Sequence, residues 1–323
     1  MRRPAALKCD DLLVSRQGLS DRRYVMTASD PRETGRLIEA WWAQYRHLVR
    51  DVAYRIVGSV ADAEDITQEA YARLLGQDPL AIDDPRAWLV TVASRLAVDR
   101  LRSHERSRRA YPGPWLPEPI VVDDRLPPED RVTLDDTVRI ALLVVLERLT
   151  PAERTAFILH DVFELDFAHI AEVLGNTIDS SRQLASRARR RVRESRQARF
   201  TPDPVTARAL CERFARACTD GDLDGLVAVL SDNVHGDFDS GGLIPGAPTG
   251  ELCGAGPVAR QLLAGFAGAR LDFAVAQVNN APGIVVRLDR RVVAVLSFEF
   301  TAAGIAVVHG IGNPAKLEHL QPQ

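Results

Sequence analysis

The chain has 323 residues, a formal net charge of −3 and four cysteines. That length divides into two or three domains, and apolar and charged fractions of 46% and 26% exclude a disordered or collagenous chain. Cys9, Cys211, Cys218 and Cys253 are too few and too scattered for a disulfide framework, and the lack of a C-x-x-C argues against a zinc site, so no metal or cofactor is expected.

No apolar run approaches a membrane span, and no apolar stretch of secretory length follows Arg2 and Arg3, so a cytoplasmic protein without a membrane partner is expected. With total charge near zero, basic surface must be local, and it gathers in Arg95–Arg109 and Arg182–Arg199. Residues 1–32 are polar and weakly periodic and read as a disordered arm, with Met26 as a second candidate start.

Residues 33–108 read as a first helical domain. Leu37, Ile38, Trp41, Tyr45, Leu48, Val49, Val52 and Ile56 mark one long amphipathic helix that breaks at Gly58-Ser59. A second helix, Val60–Leu75, turns Ile66, Ala70 and Leu74 inward and leaves Asp62, Glu64, Asp65, Gln68 and Glu69 as an acidic outer face. After a loop, Gly76–Asp84, Pro85 suits the first turn of a third helix. Trp88, Leu89, Val92, Leu96 and Leu101 form its seam, and Arg95, Arg100 and Arg102 its polar side.

Residues 109–132 form a linker. Six prolines between Pro112 and Pro128 forbid regular helix and favour an extended path. Trp115, Leu116 and Ile120 are costly to leave in water, so the linker is expected to dock rather than merely span.

Residues 133–199 form a second helical domain, starting near Leu134. Ile140, Leu142, Leu143, Val145, Leu146 and Leu149 are apolar nearly all round, so this helix is central. Thr150-Pro151-Ala152-Glu153 has capping-box form. His160 and His169 read as polar positions beside the core rather than as ligands. Ile170, Val173 and Leu174 share a face, Gly175 suits a helix end, and Asn176 or Thr177 can cap the next helix. In that helix Leu184, Ala188 and Val192 recur every four residues, while Arg182, Ser186, Arg189, Arg190 and Arg193 point the other way. A short helix, a turn and an arginine-faced helix make a helix-turn-helix that sets its second helix in the major groove of DNA. The plainer alternative is a solvated charged face, but sign purity, turn and length agree on DNA.

Residues 203–318 form a third domain. Helices are expected at Val205–Cys218, Leu223–Leu230 and Pro257–Phe266, followed by β-rich runs at Leu271–Val278, Ile284–Leu288, Val292–Phe300 and Ile305–Val308. Helices first and a meandering antiparallel sheet after make an α+β layer, whose open end can form a cone-shaped pocket. The expected class is multidomain: two all-α domains followed by an α+β cone.

DAEDITQEAYARLL followed by PRAWLVTVASRLAVDRLR resembles region 2 of bacterial sigma factors of the extracytoplasmic-function type, and the helix-turn-helix resembles their region 4. The resemblance implies that Asp62, Asp65, Gln68 and Glu69 dock on the β′ clamp helices of RNA polymerase core, with the β flap as a further contact. It implies that the Gly76–Asp84 loop holds a flipped base of the −10 element, and that Trp88, Arg95, Arg100 and Arg102 line the melted strand. Trp88 also suits the core. It implies that Arg182, Gln183, Ser186, Arg187 and Arg190 contact the −35 duplex, with base readers and phosphate grips undivided.

WLPEP, residues Trp115, Leu116, Pro117, Glu118 and Pro119, resembles a motif of the subgroup with a C-terminal SnoaL-like domain and no dedicated anti-sigma factor. Asn313, Pro314, Lys316 and Leu317 match its tail motif. Asp239-Ser240-Gly241-Gly242 corresponds to its DGG loop but carries serine second, and Gly241 and Gly242 need only mean a tight turn.

Relatives of the cone catalyse cyclisation or isomerisation, and His235, Asp237, Asp239, Glu299 and His309 are available bases. No tyrosine follows Tyr111, so the tyrosine oxyanion donor is missing and no catalytic residue is expected. The cone is expected to act as a regulatory element, which leaves room for a small ligand of unspecified chemistry. Two alternatives are a stand-alone helix-turn-helix regulator sensing a small molecule in the cone, and a cyclase-like enzyme fused to a DNA-binding module. The acidic helix has no role in the first.

Overall fold

A computed structural model of the chain describes residues 31–122, 139–195, 202–243, 249–267 and 270–322. Residues 1–30 of the expected arm at 1–32, the linker beyond 122 and the start of the second domain at Leu134 lie outside these residues, and the arm's last two residues, Pro31 and Arg32, already belong to a helix.

The first domain is three helices: α1 (Pro31–Val57), α2 (Val60–Leu75) and α3 (Pro85–Arg109). Val52 and Ile56, Ile66 and Leu74, and Leu89 and Ala93 close its core. Gly58 lies between α1 and α2 at φ +73°, and Ser59 caps α2 by accepting from Asp62 N at 3.1 Å. A Cβ at Gly58 would meet Glu147 Oε1 at 2.8 Å and Arg154 Nη2 at 3.1 Å. The glycine therefore supplies the turn and also admits the second domain.

The second domain is α4 (Ile140–Glu147), α5 (Pro151–Phe157), α6 (Phe167–Leu174) and α7 (Ile178–Ser195), with a π-helical turn at Ile158–Val162. The capping box at Thr150 is formed, and Gly175 sits at φ +65° with its N–H on Ala171 O. Thr177 rather than Asn176 caps α7, accepting from Ser180 N at 3.2 Å. The two helical domains share one hydrophobic core, with α3 against α5 and α6.

The third domain packs α8 (Pro204–Asp220), α9 (Leu223–Val227) and α10 (Ala255–Phe266) on a seven-stranded sheet. The linker contributes β1 (Val121–Val122). The domain contributes β2 (Leu230–Asp239), β3 (Gly250–Cys253), β4 (Leu271–Val278), β5 (Ala281–Leu288), β6 (Arg291–Thr301) and β7 (Gly304–Ile311). The order is β1-β4-β5-β6-β7-β2-β3. Two expectations are corrected. The helix expected to reach Leu230 stops at Val227, because Leu230–Asp239 is needed as a strand. The sheet is not wholly antiparallel: β2 runs parallel to β7, since no hairpin joins them to impose the opposite sense.

Both faces of the sheet are covered. Phe238, Ile284, Leu296, Phe298 and Val308 face the helices, and the Phe214 ring centroid lies 5.0 Å from that of Phe298. The other face carries Val285, Val295 and Ile311 and buries Leu116 of the linker, Ile140 of α4 and Leu317. A strand buried on both sides reads as a continuous apolar run, as Ile284–Val286 and Val292–Leu296 do.

Candidate promoter-binding surfaces and the linker lock

Helix α7 buries Leu184, Ala185, Ala188 and Val192 and exposes all five residues expected at the −35 duplex: Arg182, Gln183, Ser186, Arg187 and Arg190. Its arginines divide into two sets. Arg189 bonds Asp161 at 2.6 Å and Arg191 bonds Glu153 at 2.8 Å, which fastens the helix to its own domain. Arg190 is 72% exposed and only 3.8 Å from Glu194, and Arg182 pairs with Asp179 next door. Arg187 reaches Glu153 at 3.2 Å but stays half-exposed. The exposed set can exchange these weak partners for phosphate oxygens or base edges.

The residues expected at the −10 element are less open. Trp88 is half-buried against the shared core. Arg95 donates through Nη2 to both Glu172 O and Glu172 Oε1 at 3.0 Å, and beside it Thr91 Oγ1 lies 2.5 Å from His169 Nε2. Helix α6 therefore covers part of the α3 face. Arg102 is exposed, with Asp99 at 3.6 Å.

Of the acids expected to face core polymerase, Asp65, Gln68 and Glu69 are exposed, and Glu69 pairs with Arg73 at 2.6 Å. Asp62 departs from the expected outer face. Its side chain is 14% exposed, with Arg100 Nη1 at 2.8 Å and His104 Nδ1 at 3.5 Å. It sits in the first turn of α2 where α3 crosses, so it neutralises Arg100 within the domain.

The three subgroup motifs converge on one point. Asp239, fully buried at the end of β2, accepts from Lys316 Nζ at 2.7 Å and from Leu116 N at 2.9 Å, while its other oxygen accepts from Tyr111 Oη. Lys316 Nζ also donates to Leu116 O at 2.5 Å and lies 3.5 Å from the centroid of the Trp115 ring. Asn313 Nδ2 donates to Tyr111 Oη at 2.6 Å, and its own Oδ1 caps the turn that begins at Pro314. Gly241, at φ +64°, lies so close that a Cβ would meet Asn313 at 2.8 Å; the glycine marks a close approach as well as a turn. Burial lowers the Lys316 ammonium below its ordinary pKa, and the Asp239 charge limits the fall.

The next residues tie the linker to the first domain. Glu118 Oε2 accepts from Val60 N at 2.7 Å and Ala61 N at 3.3 Å, placing a carboxylate on the N-terminus of α2. Glu118 N donates to Gly58 O at 2.9 Å, and Tyr54 Oη donates to Glu118 O at 2.7 Å. Asn279 of the β4–β5 turn donates to Tyr54 Oη at 2.8 Å and exchanges two hydrogen bonds with Ile120. Pro119 O accepts from His319 at 2.9 Å, and Pro117 and Pro119 are buried. Tyr54, Tyr111 and Asn279 were not singled out as site residues. Only the Asn279-Asn280 pair, both at positive φ, carried a local signal, that of a tight hairpin turn.

The bases considered for catalysis do not line the cone. Asp237, Glu299 and His309 share the sheet face with Val295 and Ile311, opposite the cone's helices. His309 is buried, with Nε2 3.2 Å from Glu299 Oε1 and Nδ1 3.2 Å from Asp237 Oδ2, the latter off-line for a good hydrogen bond. Burial alone would depress the His309 pKa, but the adjacent carboxylates of Asp237 and Glu299 outweigh it and raise it. Burial likewise opposes ionisation of Asp237, and His309 and then Arg148 reverse that and lower its pKa. His235 lies on β2, two residues before Asp237, and faces Cys253 of the edge strand β3, with Cys253 Sγ at 3.1 Å from His235 Nδ1.

Known proteins resemble this chain in sequence and fold. Residues 41–107 match the Sigma-70 region 2 model and residues 139–192 the Sigma-70 region 4 model. A probable ECF RNA polymerase sigma factor SigI of Mycobacterium tuberculosis is 37% identical over 290 residues, which cover 88% of this chain and 97% of that one. The ECF RNA polymerase sigma factor SigJ of the same organism is 48% identical over 204 residues, 62% of this chain and 64% of that one. The crystal structure of SigJ superposes with a TM-score of 0.66 at 37% identity, covering 87% of this chain and 98% of that one. Two sigma-70 regions in order, and a relative aligned along nearly its whole length, establish that this chain belongs to the extracytoplasmic-function family of RNA polymerase sigma factors.

Proposed function

We propose that the chain acts in the cytoplasm as an initiation subunit, binding RNA polymerase core through Asp65, Gln68 and Glu69 and reading promoter DNA through α7 and α3. The C-terminal cone controls it in cis, without a dedicated anti-sigma factor and without catalysis. The convergence of linker, Asp239 loop and Lys316 tail on one buried ion pair carries this reading: the cone holds the segment that sets the separation of the two promoter-binding domains. With the linker docked, Arg95 is occupied by Glu172, so the −10 face opens fully only when region 4 leaves region 2.

Run-off transcription with purified core enzyme tests this. Truncation just past Leu317 removes the His319 bond to Pro119 and the Gln321 bonds to Val292 while sparing the ion pair. Truncation after Arg199 removes the whole cone. The two should change promoter activity differently, and unaltered transcription in both would refute cis control. A regulator acting without polymerase would bind DNA equally well with and without core; the present reading expects core to strengthen binding.

A further inference from the structure

A cleft of about 220 Å³ opens where the first domain, the linker and the C-terminal turn meet. Its walls are apolar, with Val60 and Ala63 from α2, Ile120 and Val121 from the linker, and Leu320 from the C-terminal turn. Most of its polar lining is already committed. Tyr54 Oη gives its proton to Glu118 O and accepts from Asn279. His319 gives its Nε2 proton to Pro119 O. Asp51 holds Arg55 through both oxygens, at 2.9 and 3.0 Å. Arg50, half-buried at the rim, has no ion-pair partner among the described residues. His47 lies beside it, and burial, then Arg46 and Arg50, keep its pKa below the ordinary value.

An uncommitted guanidinium above an apolar floor is the recognition chemistry of a carboxylate carrying a short hydrocarbon tail. The volume, below the ~300–1,000 Å³ of drug-sized sites, restricts the tail to a small one. We propose that this cleft binds a small apolar carboxylate, with Arg50 on the carboxylate and the tail between α2 and the linker. Because α2 supplies one wall and the linker another, the complete site exists only while the linker is docked. A ligand at a hundred times its dissociation constant therefore shifts the docked-to-released ratio about a hundredfold. This coupling rests on the cis-control reading; the binding itself does not.

The full chain is titrated with octanoate, and binding is followed by calorimetry. Saturable binding is expected, weakened about ten- to a hundredfold by Arg50→Gln, largely kept by Arg50→Lys, and weakened similarly when octanol replaces octanoate. No saturable binding, or equal binding to wild type and Arg50→Gln, overturns the site. Amide exchange at Ile120 reads the coupling: octanoate should slow it in wild type and leave it unmoved in Arg50→Gln. If octanoate binds through Arg50 and Ile120 exchange does not change, the regulatory half is overturned and the site stands. The truncations described above test cis control without octanoate, so its failure gives a different pattern from failure of the site.

Discussion

Replacing Lys316 by methionine should release the linker from the cone without unfolding either. The Lys316 and Asp239 side chains are 4% and 0% exposed, and removing one partner of such a buried pair costs about 3–5 kcal/mol. Asp239 keeps Tyr111 Oη and Leu116 N as donors, which puts the expected cost at the lower end of that range. The cone retains its own core around Phe214 and Phe298, so the loss falls on the docked linker. At about 1.4 kcal/mol per factor of ten, the Leu116 amide, protected by Asp239, should exchange about a hundredfold faster or more. Methionine preserves the length of the apolar stem, so packing against Trp115 changes little. Adding Asp239→Asn should recover part of the loss, because no charge is then left buried alone; the double mutant should fall short of the sum of the singles. Unchanged Leu116 exchange in Lys316→Met, or strictly additive singles, would refute the lock.

Glu118→Ala removes the carboxylate from the start of α2 and should cost about 1 kcal/mol, read as faster exchange at Val60 and Ala61; unchanged exchange there would contradict the capping role. His309, with its raised folded pKa, contributes stability that is fully present below its ordinary value of 6.5 and is lost as pH rises through the raised one. Asp237, with its lowered pKa, contributes stability that is present above its ordinary 3.8 and is lost as pH falls through the lowered one. Thermal melts across pH should therefore be highest between those two ordinary values, and His309→Gln should flatten the alkaline side. Arg190→Ala should leave the melting temperature nearly unchanged and weaken promoter binding in the presence of core. A salt slope lower by about one would mark a phosphate contact, and a penalty of about 1–3 kcal/mol confined to one base pair would mark a base contact.

The helical domains were legible because their signals are local. The seam Leu184-Ala188-Val192, the box at Thr150 and the glycine at 175 each fix their structure within one turn or two. The strand Leu230–Asp239 was not legible, because it is buried on alternate and then consecutive residues and its partner β7 lies some seventy residues on. Val121–Val122 sits in the middle of a proline-rich linker and becomes a strand only because β4 presents an open edge. Among the site residues, periodicity placed Arg182, Arg190 and Arg193 outward as they are, but it also placed Arg189 there, which Asp161 holds, and it passed over the exposed Arg187 and Arg191, both paired with Glu153. Asp62 fell on the acidic side of a helical wheel, yet α3 crosses there and turns that side inward. Motif resemblance pointed to Asp239, Lys316 and the linker; their mutual contact is a fact of tertiary structure and needed coordinates.

The strengths of the contacts suggest an order of release. The pair Arg95–Glu172 is 46% and 66% exposed, so it is worth at most about 1 kcal/mol and is screened by salt. It cannot by itself keep α6 on α3. Arg154 is different: it is 1% exposed, donates to Arg55 O from both Nε and Nη2 at 3.3 Å, and holds Glu147 at 2.5 Å directly beneath Gly58. That guanidinium joins the end of α1 to α4 and α5 at the same turn that Glu118 grips from the linker. Separating the two promoter-binding domains therefore requires opening the Gly58 turn, and the linker braces that turn from outside. A cone that holds Leu116 holds Glu118 two residues away, and through it the hinge. Control then needs no contact between the cone and DNA: loosening Asp239–Lys316 weakens the brace, and core polymerase, if it grips α2 at Asp65 and Glu69 as proposed above, can pull region 2 from region 4.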